Sequence, residues 1–234
     1  MMRAIILLGG FGTRLQSVLT DLPKPMAPIQ GKPFLSYLLD YLQAQGFDSV
    51  IFSVHHLYEK IQSYFGNQYQ RMHIEYAIEE KPLGTGGAIA HSLRFLSTEE
   101  PVFVLNGDTF LRLDYQKMYE QHLKYMPSLS MALRAVDVVS RYGKVLVENH
   151  RVTAFKEKGE TGSGFINAGV YLLQPNLFSS FDLPDQFSFE TDFLFPHLKT
   201  LTPVAFPCHD YFIDIGIPED LARAQIELSA FRTF

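Results

Sequence analysis

A chain of 234 residues with 47% hydrophobic and 19% charged residues can fill a complete core, which excludes an intrinsically disordered protein. Its 20 Lys and Arg against 25 Asp and Glu leave a net charge of -5, so there is no basic footprint for nucleic acid. The single cysteine, Cys208, excludes an internal disulfide framework, and no apolar run reaches the roughly 18 to 20 residues of a membrane helix. The composition predicts a soluble, cytoplasmic protein with no nucleic-acid partner and no membrane partner. Its length fits one α/β domain over residues 1–234.

Residues 3–8 form a continuous apolar run of strand length, closed by Gly9, Gly10 and Gly12. Pro33 suits a first helical turn, Phe34, Leu35, Leu38, Leu39 and Leu42 recur at helical spacing, and Gly46 ends the pattern. Residues 49–54 then read as strand, 57–65 as helix, 74–78 as strand, 88–96 as helix and 102–105 as strand. Continuous apolar strands alternating with helices predict a mostly parallel sheet covered on both faces, a Rossmann-like α/β fold. Beyond residue 110 the reading is less regular. Strands are expected at 131–135, 144–148, 152–155 and 167–173, loops at 159–164 and 183–186, and a last helix at 218–230. No internal repeat or low-complexity linker is present. The simplest division gives a nucleotide-type half over about 1–110 and a substrate-type half over about 111–234.

The string Leu8-Gly9-Gly10-Phe11-Gly12-Thr13-Arg14-Leu15 directly follows the first strand. Glycines at such a bend let backbone N–H groups approach a polyphosphate, and Arg14 adds a planar fork of donors. A dinucleotide fingerprint would need glycine where Leu15 stands, and no P-loop string occurs. Taken alone, the glycines also fit an ordinary turn. Pro23, Pro25 and Pro28 then stiffen the chain around Lys24, so that its ammonium is held in place. The apolar strand 102–105 runs into Asn106-Gly107-Asp108-Thr109, and Tyr211-Phe212-Ile213-Asp214-Ile215-Gly216 holds a second lone acid. Burying either carboxylate bare would cost several kcal/mol, so each needs a cation or donors. An Asx-type turn is the alternative for Asp108. There is no H-E-x-x-H, no C-x-x-C and no G-x-S-x-G. The adjacent His55 and His56 read as structural or surface residues.

The pairing of Gly-Gly-x-Gly-Thr-Arg-Leu with Lys24-Pro25 roughly ten residues on resembles the sugar-1-phosphate nucleotidyltransferases. That resemblance implies transfer of a nucleotidyl group from an NTP to a sugar 1-phosphate, with release of pyrophosphate. It implies that Leu8, Gly9, Gly10, Gly12, Thr13 and Arg14 cradle the triphosphate, joined by Lys24 and Asn106. It also implies that Arg14 and Lys24 offset charge at the α-phosphorus while Asp108 and Asp214 hold Mg²⁺. Gly84, in Leu83-Gly84-Thr85-Gly86-Gly87-Ala88, matches the element on which the base lies. Glu79 is a candidate reader of guanine, whose N1–H and N2–H₂ suit a carboxylate, and the alternative is a solvated Glu-Glu-Lys run. Gly143, Glu157, Lys158 and Asn167 match sugar-phosphate contacts in the same family. Their alternative reading is ordinary turns and a surface ion pair.

Across its length the chain most resembles the bacterial D-glycero-α-D-manno-heptose 1-phosphate guanylyltransferases. The supporting strings are Lys24-Pro25-Met26-Ala27-Pro28, the Gly84 segment, Asn106-Gly107-Asp108-Thr109-Phe110, Phe187-Ser188-Phe189-Glu190 and the Asp214 segment. This implies GTP as donor, a heptose 1-phosphate as acceptor, and GDP-heptose for a bacterial surface glycan. Mannose 1-phosphate with GTP and N-acetylmuramate 1-phosphate with UTP are the alternatives. An inactive nucleotide-sugar sensor is a different class, and Arg14, Lys24, Asp108 and Asp214 argue against it. The C-terminal β-helix of larger relatives is not expected, a homodimer is admitted, and the sugar's identity stays open.

Overall fold

The computed structural model describes residues 2–10, 21–96 and 98–231. They fall into two compact units, neither of them a continuous stretch of chain. The first comprises Met1–Pro82, Leu105–Phe110 and Ile213–Phe234, and the second Leu83–Val104 and Leu111–Phe212.

In the first unit, strands Met2–Leu7, Phe47–Val54 and Met72–Ile78 pair in that order and in parallel, with Ile5 opposite Ile51 and Phe52 opposite Tyr76. The short strand Gln68–Tyr69 closes the edge antiparallel. Helix Phe34–Ala44 buries Phe34, Leu35, Leu38, Leu39 and Leu42, the side chains whose spacing announced it. Pro33 precedes it as the N-cap residue, and Gly46 follows at φ +87°, a conformation that costs glycine little.

The second unit orders its strands Val145–Glu148, Arg151–Phe155, Val204–Cys208, Leu129–Val136, Gly164–Leu173 and Val102–Asn106. Most of its pairings are antiparallel, although Val204–Cys208 runs parallel to Leu129–Val136. The fold is therefore the expected Rossmann-like α/β type with a mixed sheet. Its parallel part lies mainly in the first unit, and no β-helix occurs among the described residues.

Three departures from the sequence expectation have physical causes. The helix expected at 88–96 spans Gly84–Leu93 and so takes in three glycines that propensity would exclude. A Cβ on Gly86 would stand 2.1 Å from the Phe187 ring, and one on Gly87 2.3 Å from the Asp185 carbonyl. Packing against residues 185–187 therefore requires glycine and overrides propensity. Helix Tyr115–Tyr125, not anticipated, is capped by Asp114, whose carboxylate accepts the Lys117 N–H at 3.0 Å. It buries Tyr115, Met118 and His122, which recur at helical spacing among polar residues. Strand Val204–Cys208 contains Pro207, the residue type that argues against a strand.

His122 lies fully inside the second unit. The Gln174 amide donates to its Nε2 at 3.3 Å, so Nδ1 carries the proton and donates to Ser130 Oγ at 2.8 Å. Burial lowers its pKa to about 4. The unfolded chain therefore binds a proton near the ordinary histidine value that the folded chain refuses. The contribution is complete above roughly pH 6.5 and is lost as the pH falls toward 4. Urea unfolding across this window should show stability falling more steeply with acid in the wild type than in His122→Gln. Identical pH slopes would contradict the assignment.

Candidate active site

The first unit gathers Lys24, Asp108 and Asp214 from three distant parts of the sequence. Lys24 opens a single 3-10 turn, Lys24–Met26, with Pro23 before it and Pro25 within it. The turn is closed by Met26 N–H to the Pro23 carbonyl at 2.8 Å and Ala27 N–H to the Lys24 carbonyl at 3.0 Å. The ammonium so placed donates to Asp108 Oδ2 and stands 3.8 Å from Asp214 Oδ1.

Asp108 reaches this position through Gly107. The Gly107 N–H donates to the Leu7 carbonyl at 3.0 Å, and a Cβ there would stand 2.2 Å from Leu8 Cδ2 and 2.8 Å from that carbonyl. Only glycine lets the chain lie so close to the end of strand Met2–Leu7. The Ile215 N–H then donates to the Asp108 carbonyl at 3.0 Å, which ties the two acidic segments together. Asp214 Oδ1 accepts the Gly216 N–H at 2.7 Å, and a Cβ on Gly216 would press on that oxygen at 2.9 Å.

The electrostatics follow from these contacts. Burial pushes the Asp214 carboxyl above the usual carboxylate range and the Asp108 charge raises it further, while Lys24 and the Gly216 N–H pull it down. Both acids keep about a third of their side-chain surface exposed, at 32% and 34%, whereas the lysine retains 15%. Two partly accessible, mutually repelling carboxylates are a reasonable donor set for a hard divalent cation that takes its remaining ligands from phosphate and water.

Glu79, in the same unit, is 7% exposed, which excludes the solvated-run reading. Its Oε1 accepts the Ser53 hydroxyl at 3.2 Å, and a Cβ on Gly9 would stand 3.0 Å from that oxygen. His55 Nδ1–H donates to its main-chain carbonyl at 2.8 Å, giving that histidine a structural role. Leu8 is buried, Gly10 is open, and Asn106 ends strand Val102–Asn106 half-buried. Gly12, Thr13 and Arg14 lie outside the described residues.

In the second unit, Gly143 stands at φ +82°, and a Cβ there would meet the Lys156 carbonyl at 2.8 Å. The chain just before Glu157 and Lys158 is thereby held against it, and both of those side chains are exposed. Gly84 stands at φ +70°, where a Cβ would meet the Phe187 carbonyl at 2.5 Å, so packing alone requires glycine there. The Asn167 amide donates to Tyr171 Oη at 2.7 Å and to Glu190 Oε1 at 2.6 Å.

The sequence matches the nucleotidyl transferase family over residues 3–230. The chain belongs to that family. It is similar to the D-glycero-alpha-D-manno-heptose 1-phosphate guanylyltransferase of Aneurinibacillus thermoaerophilus, at 48% identity covering 98% of this chain and 100% of that protein. The protein of the same name from Campylobacter jejuni is 46% identical, over 94% of this chain and 96% of its own length. HddC from Yersinia pseudotuberculosis, whose crystal structures include one complexed with GMP-PN, has a TM-score of 0.87 at 40% identity. That match covers 97% of this chain and 100% of HddC.

For this nucleotidyltransferase, sequence reasoning named both acids and the lysine but missed what sets them. Gly107 and Gly216 carry their signal in the Gly-Asp and Asp-x-Gly spacing. Tyr171 falls within the expected strand 167–173 and Glu190 within the string Phe187-Ser188-Phe189-Glu190, but nothing in the linear sequence pairs the two.

Lys24→Met removes the ammonium shared by the pair. The Asp214 carboxyl, followed by carboxyl-carbon NMR through a pH titration, should then titrate higher than in the wild type. An unchanged or lower midpoint would show that Lys24 does not govern it.

Proposed function

We propose that the chain transfers GMP from GTP to D-glycero-α-D-manno-heptose 1-phosphate, giving GDP-heptose and pyrophosphate. Identity of 46% and 48% along nearly the whole length of two guanylyltransferases is the observation that carries this reading. The activated sugar is a donor for a later glycosyl transfer, and we place the reaction in the cytoplasm, where GTP is at hand.

The acceptor needs no deprotonation, since a sugar phosphate oxygen is already anionic. It attacks the α-phosphorus in line, the new P–O bond forms as the α–β bridge breaks, and pyrophosphate carries away the electron pair. Catalysis then amounts to positioning and charge stabilisation. In our assignment the Lys24 ammonium and the Arg14 guanidinium meet the growing charge at the α-phosphoryl oxygens. Asp108 and Asp214 would hold Mg²⁺, which when bound neutralises phosphate charge and favours pyrophosphate as leaving group. Lys158 takes the sugar phosphate, Glu157 the sugar hydroxyls, and Gly143 lets the backbone approach the ring.

Base choice is assigned to Glu79. A buried carboxylate fixed by Ser53 beside Gly9 can accept the two N–H donors on one edge of guanine, whereas the carbonyls of uracil would face it with like charge. The backbone at Gly84 supports the base in the same assignment.

A panel of four NTPs against heptose, mannose and N-acetylmuramate 1-phosphates, with Mg²⁺ and pyrophosphatase, tests the reading. GTP with the heptose phosphate should give the highest kcat/KM, and Glu79→Gln should reduce the preference for GTP over UTP by about tenfold. A wild-type preference for UTP would overturn the donor assignment, and a better rate with another sugar the acceptor assignment.

A further inference from the structure

The surroundings of Asn167 change what that residue can offer a ligand. An amide nitrogen carries two hydrogens, and here both are spent within the second unit. One goes to Tyr171 Oη at 2.7 Å and the other to Glu190 Oε1 at 2.6 Å, while Asn167 Oδ1 accepts the Gly169 N–H at 3.1 Å. The Tyr171 hydroxyl donates to the same Glu190 oxygen at 2.8 Å. Oε1 therefore takes two charge-assisted bonds and fixes the carboxylate's orientation. Its twin, Oε2, accepts nothing from any described residue, and the Glu190 side chain remains partly accessible.

The local backbone points the same way independently. Glu190 belongs to a π-helix, Phe189–Leu194, a widened turn that is rare in proteins and is frequently found at functional sites. Ser188 caps it by accepting the Thr191 N–H at 3.3 Å, and Phe189, Phe193 and Leu194 are buried beneath it. Ring contacts fasten those anchors: Tyr171 to Phe189 at 4.9 Å between centroids and Phe178 to Phe193 at 4.8 Å. The second residue of this turn is thus held on a rigid aromatic base with one oxygen turned to partners inside and one left over.

We propose that Glu190 is the specificity residue that accepts a hydroxyl of the sugar through Oε2, and that Asn167 and Tyr171 act behind it by fixing its carboxylate. The proposal rests on the sugar-1-phosphate reading above and names a residue of that same acceptor site. A carboxylate so fixed demands a donor. An acceptor sugar that lacks the matching hydroxyl leaves a desolvated charge without a partner, which is the costly kind of mismatch.

Glu190→Gln isolates this role. The new amide oxygen can go on accepting from Asn167 and Tyr171, so only the outward group changes, from acceptor to donor. With GTP and D-glycero-α-D-manno-heptose 1-phosphate, KM for the sugar phosphate should rise by about tenfold or more. KM for GTP and the thermal unfolding midpoint should stay at wild-type values. Among monodeoxy analogues of the acceptor, one should show the same KM with wild type and variant, because the hydroxyl in question is already gone. Glu190→Asp, which keeps the charge but draws it back by one methylene, should raise the same KM, and either soluble variant decides the matter. If wild-type enzyme turns over no sugar phosphate with GTP, the substrate reading falls and takes this proposal with it. If wild type is active and the variants keep its KM for the sugar phosphate, Glu190 alone is refuted.

Discussion

Two carboxylates brought to one ammonium repel each other at close range, and the first unit is built to hold them there. Asp108 and Asp214 lie more than a hundred residues apart in sequence, yet the Lys24 ammonium touches the first and stands 3.8 Å from the second. The surrounding backbone serves that convergence. Gly107 admits Asp108 to the end of the first strand, Gly216 turns its N–H onto Asp214, and prolines on both sides of Lys24 stiffen its approach. The strain of the arrangement shows in Asp214, whose carboxyl is pushed up by burial and by its neighbour's charge despite the lysine. Each of the two acids nevertheless keeps about a third of its side-chain surface exposed, at 32% and 34%.

The second unit applies the opposite rule. There the groups around Asn167 and His122 are satisfied internally before any ligand is considered. Asn167, Tyr171 and Gly169 complete one another's bonds, and His122 is kept neutral between Ser130 and Gln174. What remains for chemistry is whatever that network leaves over, and this is how a single oxygen of Glu190 stands out.

Much of this was legible in the sequence, and the rest was not for identifiable reasons. The apolar runs and helical spacing of the first half match its four longer strands and the helix Phe34–Ala44 within a residue or two, because burial on one or both faces writes itself into the pattern, whereas two- and three-residue strands such as Gln68–Tyr69 leave no such run. Asp108, Asp214 and Lys24 could be singled out because a lone charge in an apolar run, or between prolines, demands a reason. The helix over Gly84–Leu93 began earlier than its composition suggested, since the pressure that requires glycine comes from residues a hundred positions away. Strand Val204–Cys208 was hidden by its own proline. Glu190 matters only through partners that the linear sequence does not place beside it.

In our assignment the acid pair holds a divalent metal together with the triphosphate. The most direct measurement is Mn²⁺ binding followed by electron paramagnetic resonance, with and without GTP, in wild type, Asp108→Asn and Asp214→Asn. Wild type should bind Mn²⁺ much more tightly when GTP is present, and each variant should lose most of that gain. Equal Mn²⁺ binding by all three proteins in the presence of GTP would contradict the account, because the two acids would then hold no metal at all.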